Sequence, residues 1–412
     1  MMRIFFKSAV IICVISLSLS GTVTAELSWD KEAFLDKIQK DTFLYFLKEQ
    51  NPENGLIKDS SRPGAPCSVA AVGFALTALC IGESRGWIVK EEAYNRILKI
   101  LLTFRDKVQN EHGFYYHFLD MRKAQRTWSS ELSSIDTAIF MAGALFAGEY
   151  FKGTEIESIA EALYERTDWS WMLNGHKVLC MGWKPESGFL PYYWDSYSEH
   201  MILYALAIGS PTHPIPREYW QEWDKPVDEY AGYRVVYCNT GSLFVYLQSH
   251  AWIDFRDIRD NEIDYWQNSI NAVDANRQFC IDNETDFITY SDNQWGLTAS
   301  LGPWGYKGYG AKPGWPVHDG TISPFAIGGS MPFEPELSIQ ALWHIYEQYG
   351  RKVYGQYGFK DAFNLKESWF ADEYLGIDEG LFLIMAENYR TGLVWNIFMR
   401  LGSIKKWIDL CF

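Results

Sequence analysis

Residues 67–84, with the sequence CSVAAVGFALTALCIGES, consist almost entirely of small and apolar side chains. A helix that is apolar on all sides is buried on all sides. The stretch therefore predicts a helix in the interior of the fold. The following segment, 89–107, has apolar residues near helical spacing and polar residues between them, which predicts an amphipathic helix.

Similar patterns continue along the chain and define the fold class. Apolar periodicity predicts further helices at 29–49, 154–169, 196–208, 240–251, 260–282, 335–349, 379–390 and near 392–407. Another helix, capped by Ser133 or Ser134, is predicted to run through Ala138 to Tyr150. Short strand-like pieces, suited to hairpins within loops, occur near 112–118, 178–181, 188–194 and 286–290. About a dozen helices without a fixed sequence repeat predict an all-α (α/α)6 toroid, a barrel of helical hairpins with long aromatic-rich loops at one mouth. Another all-α bundle is the alternative.

The N-terminus has the pattern of a secretory signal peptide. Arg3 and Lys7 precede an apolar run over 8–20, and small residues follow up to Ala25. We expect cleavage near Ala25 and export to the periplasm or the medium, with an uncleaved membrane anchor as the alternative. The remaining residues, 26–412, are predicted to form one catalytic domain, monomeric and without a transmembrane span.

Charge and composition narrow the class of partner. The formal charge is −15, and it becomes −17 without Arg3 and Lys7. Such a surface disfavours nucleic acid and anionic membranes. The 18 Trp, 25 Tyr and 25 Phe supply flat rings suited to stacking on sugars, although core packing also uses them. The six cysteines after the signal segment leave room for one or two disulfides.

The loop 183–201, WKPESGFLPYYWDSYSEHM, is the strongest candidate for a catalytic segment. Glu199 stands at the start of a predicted helix, among Tyr193, Trp194 and Tyr197. Aromatic surroundings remove water from a carboxyl group and raise its pKa, as a general acid requires. A structural carboxylate at a helix start is the alternative.

Three other segments combine acids with aromatic, glycine or proline residues. The segment 128–138, WSSELSSIDTA, contains Glu131 and Asp136, and Asp136 suits either helix capping or sugar binding. Asp378 lies just before an apolar helix. The segments 315–324 and 328–336 carry Asp319 and Glu334, which we interpret as subsite residues, although Asp-Gly is also an ordinary turn.

The remaining motifs indicate no cofactor. The eight histidines include no HExxH or other ligand-spaced pair, so neither a metal site nor another cofactor is expected. The segment 302–310, GPWGYKGYG, lacks the phosphate-loop and dinucleotide patterns and is interpreted as a flexible aromatic loop.

Four separated motifs resemble the bacterial glycoamylase-like proteins. They are 197–204 (YSEHMILY) with 207–214, 319–324 (DGTISP), 329–336 (GSMPFEPE), and 376–380 (GIDEG) with 387–395 (ENYRTGLVW). This group includes the endo-β-1,2-glucanases of glycoside hydrolase family 144. The similarity extends over essentially the whole mature chain.

The resemblance implies an (α/α)6 toroid, a metal-independent inverting mechanism and β-1,2-glucan as the substrate. It implies that Glu199 is the general acid and Asp378 the base, with Glu131 and Asp136 in a third acidic segment. Glu379 stands where the family pattern leads us to expect an amide, and its charge should raise the pKa of Asp378. In an inverting enzyme the two catalytic carboxyls lie roughly 6.5–9.5 Å apart.

The other site residues are expected to contact the glycan. The predicted stacking residues are Trp183, Tyr192, Trp194, Trp315 and Phe333. The predicted hydrogen-bonding residues are His200, Asn239 and Arg390. Two alternatives keep the sugar ligand: an exo-acting glucosidase or glucan transglycosylase on the same fold, and a non-catalytic glycan-binding protein.

Overall fold

The computed structural model describes residues 30–412, so the predicted signal peptide lies outside the described residues. The helices are α1 Lys31–Lys48, α2 Val69–Ser84, α3 Lys90–Asp106, α4 Ser134–Tyr150, α5 Glu155–Glu165, α6 Met201–Gly209, α7 Leu243–Leu247, α8 Tyr265–Asp282, α9 Pro324–Gly329, α10 Pro335–Tyr349, α11 Gly376–Thr391, α12 Leu393–Phe398 and α13 Gly402–Cys411. No helix in this part of the chain is both long and apolar enough to cross a membrane.

Short strands form hairpins in the loops. They are β1 Cys67–Ser68, β2 Asn110–Glu111, β3 Phe114–Tyr115, β4 Phe118–Leu119, β5 Leu132–Ser133, β6 Gly182–Lys184, β7 Gly188–Phe189, β8 Val227–Tyr230, β9 Tyr233–Val236, β10 Ala299–Ser300, β11 Lys307–Gly308, β12 Tyr354–Gly355, β13 Gly358–Phe359, β14 Phe363–Asn364 and β15 Trp369–Phe370. All their pairings are antiparallel. Residues 286–290 form turns instead of the predicted strand, and 178–181 contribute a single bridge at Cys180.

The helices form two concentric rings. The inner ring consists of α2, α4, α6, α7, α9 and α11; α6 and α7 are joined through Ser249, whose hydroxyl accepts from the Ile202 amide. Helices α1, α3, α5, α8, α10 and α13 pack outside them. The (α/α)6 toroid predicted from the sequence is confirmed. Helix α9 was missed because it spans only six residues, shorter than the window in which periodicity can be recognised.

Small residues allow the inner helices to approach one another closely. A Cβ atom on Gly73 of α2 would lie 2.3 Å from the Ile139 carbonyl oxygen, and one on Gly143 of α4 would lie 2.0 Å from the Gly73 carbonyl oxygen. Only glycine fits at such a backbone contact. The small residues of 67–84 therefore bring α2 against α4, and α2 is buried almost along its whole length, as predicted.

The segments that precede the inner helices meet at one mouth. The loops before α2 and α11 are bridged at Ser60 and Leu375, and the loop before α4 pairs with Trp183 in the loop before α6. The six described cysteines are all unpaired, so the disulfides considered from the sequence do not form among them.

Candidate active site

A cavity of ≈ 430 Å³ opens at this mouth, beside the first turns of the inner helices. Its lining combines acids, one histidine and aromatic rings. The lining residues used below are Asp59, His117, Phe118, Trp128, Leu301, Tyr306 and Glu373. Within residues 30–412, no group of three or more His, Cys, Asp or Glu side chains is arranged to hold a metal ion.

Glu199 lies directly before α6 and is half-buried. The Ser198 hydroxyl donates to its carboxylate, and the Glu199 backbone oxygen accepts a 2.7 Å hydrogen bond from Ser249. Burial raises the pKa of Glu199, and the negative charge of Asp136 adds to the effect, while Ser198 opposes it. A carboxyl that keeps its proton yet still contacts solvent is suited to donate a proton to a ligand.

Asp378 lies in the first turn of α11, is 2% exposed and faces the carboxyl group of Asp361, which is 3% exposed. Burial raises the pKa of both groups, and for Asp378 the charges of Asp361, Glu379 and Asp59 raise it further. The expected influence of Glu379 is therefore present, but that of Asp361 is larger.

Tyr306 links the two acidic centres. It projects from the β10–β11 hairpin and remains 55% exposed at the cavity. Burial raises the pKa of its hydroxyl, and the charges of Asp378, Asp361, Asp59 and Glu199 raise it further, in that order. The charges of all four carboxyls thus act on the pKa of this one phenol.

His117 forms a second cluster with the acids of the β4–α4 region. Its Nδ1 lies 3.0 Å from Glu131 Oε1, and its Nε2 lies 3.5 Å from Asp136 Oδ1. Burial alone would lower the pKa of His117, but Asp136, Glu131 and Asp59 together raise it to about 9. The hydrogen bond from His117 in turn lowers the pKa of Glu131 to about 2.

The structure answers the alternatives left open for Asp136. The Ser133 hydroxyl caps α4 by accepting from the Asp136 amide, and it donates to the Asp136 carboxylate at 2.5 Å. Asp136 thus belongs to the helix cap and also contacts the imidazole of His117. Only 6% of its surface is exposed.

Exposed aromatic side chains surround the cavity. Trp128 and Tyr306 line it, and Trp304 on the same hairpin as Tyr306 is 72% exposed. The predicted stacking residues Tyr192 and Trp315 are 62% and 81% exposed on the loops that precede α6 and α9. Large rings exposed in this way indicate a ligand surface.

Other predicted contact residues lie in the loops but have structural partners. Trp183 is half-buried in β6 against Trp171. Asp319 accepts from Tyr309 at 2.9 Å and Thr321 at 2.6 Å, as expected of the turn alternative. The Asn239 backbone oxygen accepts from the Trp315 amide at 2.8 Å, while its exposed side chain keeps the predicted role open.

His200 and Trp194 lie beneath the site and not on its surface. His200 is completely buried beside Trp223 and Tyr204, and burial lowers its pKa to about 3. Trp194 is 6% exposed, and its indole donates to Ser134 at 2.9 Å. Aromatic packing thus shields both side chains from solvent, and their contact with the glycan stays a prediction.

Three further predicted residues lie elsewhere along the helices. Phe333 and Glu334 follow the C-terminal end of α9, away from the mouth; Phe333 packs on Trp266, with ring centroids 4.5 Å apart. Arg390 is near the C-terminal end of α11, about 18 Å along the helix from Asp378. It pairs there with Asp36 at 2.6 Å and Glu32 at 3.1 Å.

Four site residues were missed from the sequence: Asp59, His117, Tyr306 and Asp361. Tyr306 lies in the segment 302–310, where the density of aromatic residues was a usable signal. His117 lies in an equally aromatic run, Phe114–Phe118. The sequence around Asp59 and Asp361 contains no unusual motif, so only the fold brings these residues to the site.

Comparisons with known proteins identify the family and similar folds. The Glycoamylase model, which describes glucoamylase-type proteins, matches residues 191–402. The exo β-1,2-glucooligosaccharide sophorohydrolase (non-reducing end) of Parabacteroides distasonis is 30% identical over 420 residues, covering 92% of this chain but 57% of that protein. This chain therefore spans little more than half of that relative's length.

Two crystal structures are similar over nearly the whole chain. The endo-β-1,2-glucanase of Chitinophaga pinensis, solved with sophorotriose and glucose, is 30% identical, with a TM-score of 0.88 and coverage of 93% of this chain and 98% of that one. The β-1,2-glucanase of Parabacteroides distasonis is 27% identical, with the same TM-score of 0.88 and coverage of 93% and 60%.

Proposed function

Because this chain belongs to the Glycoamylase family, as its sequence motifs predicted, we propose that it is a glycoside hydrolase that cleaves β-1,2-glucan internally, with inversion. The observation that carries the proposal is the position of two acids at the starts of inner-ring helices: Glu199 lies just before α6, and Asp378 lies in the first turn of α11. A glycan-binding protein would need the aromatic rings but not two opposed acidic centres.

In this proposal Glu199 is the general acid. Burial raises its pKa, which favours the protonated form, and that proton passes to the glycosidic oxygen as the bond from C1 to this oxygen breaks. The oxygen leaves as the hydroxyl of the departing sugar, and Glu199 becomes a carboxylate.

Asp378 is the proposed base on the opposite side of the scissile bond. It accepts a proton from a water molecule, whose oxygen bonds to C1 with inversion. Proton exchange with solvent then restores Glu199 and Asp378. The expected separation of the two carboxyls stays a prediction.

The aromatic and acidic lining supports a neutral sugar as the ligand. Trp128 and Tyr306 offer flat surfaces in the cavity, while Asp59 and the His117–Glu131 pair offer hydrogen-bonding groups for hydroxyls. The similar proteins named above act on β-1,2-glucan or its oligosaccharides, and they include both endo and exo enzymes. Exo release of sophorose is therefore the second candidate.

The test is digestion of linear β-1,2-glucan, laminarin, cellulose and starch by the wild type and by Glu199→Gln. We expect short oligosaccharides of several lengths from β-1,2-glucan alone, and a loss of rate of roughly 10²–10⁴ in the variant. Glu222→Gln, at an exposed Glu paired with Lys177, is the matched control and should keep the wild-type rate.

If sophorose were the only early product, exo action would replace endo action as the proposed mode of cleavage. Cleavage of none of the four glucans would contradict the proposed activity.

We further propose that the protein is exported, as its N-terminal sequence predicts. To test export, the full chain would be expressed and detected with an antibody against its C-terminus. The measurement is the size of the mature form and the compartment in which it is found.

A further inference from the structure

We infer that Asp361 is a positioning residue for the proposed hydrolysis: its carboxyl shares one buried proton with Asp378 and so fixes the base and the Tyr306 hairpin relative to each other. The description of Asp378 as a base rests on the proposed function. The shared proton itself rests on the burial of these two side chains and on their carboxyl oxygens without a hydrogen-bond partner.

The two carboxyl groups have almost no other partners. Asp361 accepts one hydrogen bond, from the Leu301 amide to its Oδ2 at 2.6 Å, and its carboxyl faces that of Asp378. Asp361 Oδ1 and both oxygens of Asp378 are buried without any further hydrogen-bond partner in the described part of the chain. A hydrogen bond between two carboxyl groups requires a proton on one of them.

The nearby cations do not neutralise the pair. Arg62 pairs with Glu373 at 2.5 Å, and Lys360, adjacent to Asp361 in the chain, pairs with Asp372 at 2.9 Å. Two carboxylates left together in a buried site would repel each other and would both lack water. One retained proton removes one of the two charges and supplies the missing donor.

This arrangement suits the removal of a proton from water. At rest the pair holds one proton and one negative charge, and after deprotonating the water it holds two protons and no charge. Asp361 also accepts from Leu301, the residue that leads into the hairpin with Tyr306. Asp361 therefore connects the base to an aromatic ring at the cavity.

The neighbours of the pair are also acidic. Asp378 faces Glu379 of its own helix and Asp59 from the loop before α2, Asp361 faces Glu373, and Tyr306 faces both members from the hairpin. All these charges oppose ionisation of the pair. The acidic limb of the pH profile should therefore lie above the ordinary range of an aspartate.

Asp361→Asn tests the shared proton with little change in shape. Its amide oxygen can still accept from Leu301, and its NH₂ group can donate to an ionised Asp378. We expect the acidic limb of kcat/KM on β-1,2-glucan to move to lower pH by more than about one unit. Asp361→Ala loses both contacts, so we expect a similar shift and a further loss of kcat of about tenfold or more. Asp59→Asn, the matched control, removes a neighbouring charge without touching the proton and should shift the limb much less.

Infrared spectroscopy supplies a measurement that does not depend on activity. At neutral pH, Asp361→Asn and Asp378→Asn should each lose the C=O band of one protonated carboxyl group, and the double variant should lose no more than either alone. Glu379→Gln should remove its own band additively.

The outcomes separate the two proposals. An active Asp361→Asn enzyme with an unmoved limb, or additive band losses at positions 361 and 378, would overturn the shared proton while the hydrolase proposal stands. A wild type inactive on every glucan would defeat the hydrolase proposal, and the infrared bands would still decide the shared proton.

Discussion

The two ends of helix α11 each hold a buried carboxyl group, and the two groups differ in their hydrogen-bond partners. Glu387, near the C-terminal end, is 1% exposed and accepts from Arg85 at 2.7 Å, from Gln39 at 2.7 Å and from Thr391 at 2.6 Å. Asp378, at the N-terminal end, is 2% exposed, and neither of its oxygens has a hydrogen-bond partner in the described part of the chain. The difference separates a carboxylate that supports the fold from one kept ready for chemistry.

The expected contributions of the two carboxyl groups to the free energy of unfolding also differ. A buried carboxylate with a cation and several donors stabilises the fold relative to a variant that removes only one partner. A buried carboxyl without such partners destabilises the fold, and proteins retain such groups mainly where chemistry needs them. Substitution at the two ends should therefore produce opposite effects.

The largest effect is expected for Asp378→Asn. We expect kcat on β-1,2-glucan to fall by roughly 10²–10⁴, because the amide cannot accept the proton of water. The free energy of unfolding should stay the same or rise, because a buried acid is replaced by a neutral group. Urea denaturation beside the rate measurement checks both parts. A clear loss of stability would break the comparison between the two ends.

Glu387→Gln should give the reverse result. The variant leaves the Arg85 guanidinium, whose side chain is 19% exposed, without its carboxylate. We expect a loss of about 3 kcal/mol in the free energy of unfolding and an unchanged kcat for the folded fraction. A large fall in kcat without loss of stability would show that this end of the helix also serves the reaction.

The fold could be predicted because its signals are local and repeated. The small-residue stretch 67–84 and the periodic segments after it define buried and outer helices before any contact is known. Helix α9 could not be found in this way, since six residues of the sequence PFAIGG contain too few turns to show a period.

The positions of Glu199 and Asp378 at helix starts could be predicted, because both acids precede apolar helical segments in unusual sequence. Prediction failed where a residue's role depends on a partner distant in the chain. Asp361 acquires its role from Asp378, and His117 acquires its role from three acids of two other segments. Conversely, His200 stands next to Glu199 in the sequence, but the packing of Trp194 and Trp223 encloses it.

A smaller effect, on stability alone, is expected from the pH dependence of His117. Its pKa is raised to about 9, so the stability it contributes is fully present below the unfolded value near 6.5 and is lost as pH rises through about 9. About 32% of its side chain is exposed, so we expect only about 1–2 kcal/mol. Unfolding free energies measured from pH 6 to 10 should decline over this window in the wild type and not in His117→Gln. An equal decline in both proteins would show that other titrating groups cause the loss of stability.

The smallest effect is expected at Arg390, which is on the same helix as both carboxyls. The family-like motif 387–395 and the basic side chain made it a candidate for binding hydroxyl groups. The helix, however, carries it to the end opposite the mouth, where it meets Asp36 and Glu32, whose side chains are 62% and 71% exposed. Ion pairs with exposed partners contribute about 1 kcal/mol or less. We therefore expect Arg390→Gln to keep kcat and KM within about twofold, because about 18 Å of helix separates it from Asp378, and to lose about 1 kcal/mol of stability. A raised KM without loss of stability would mean that the glycan reaches beyond the mouth, and the functional division along α11 would then have to be abandoned.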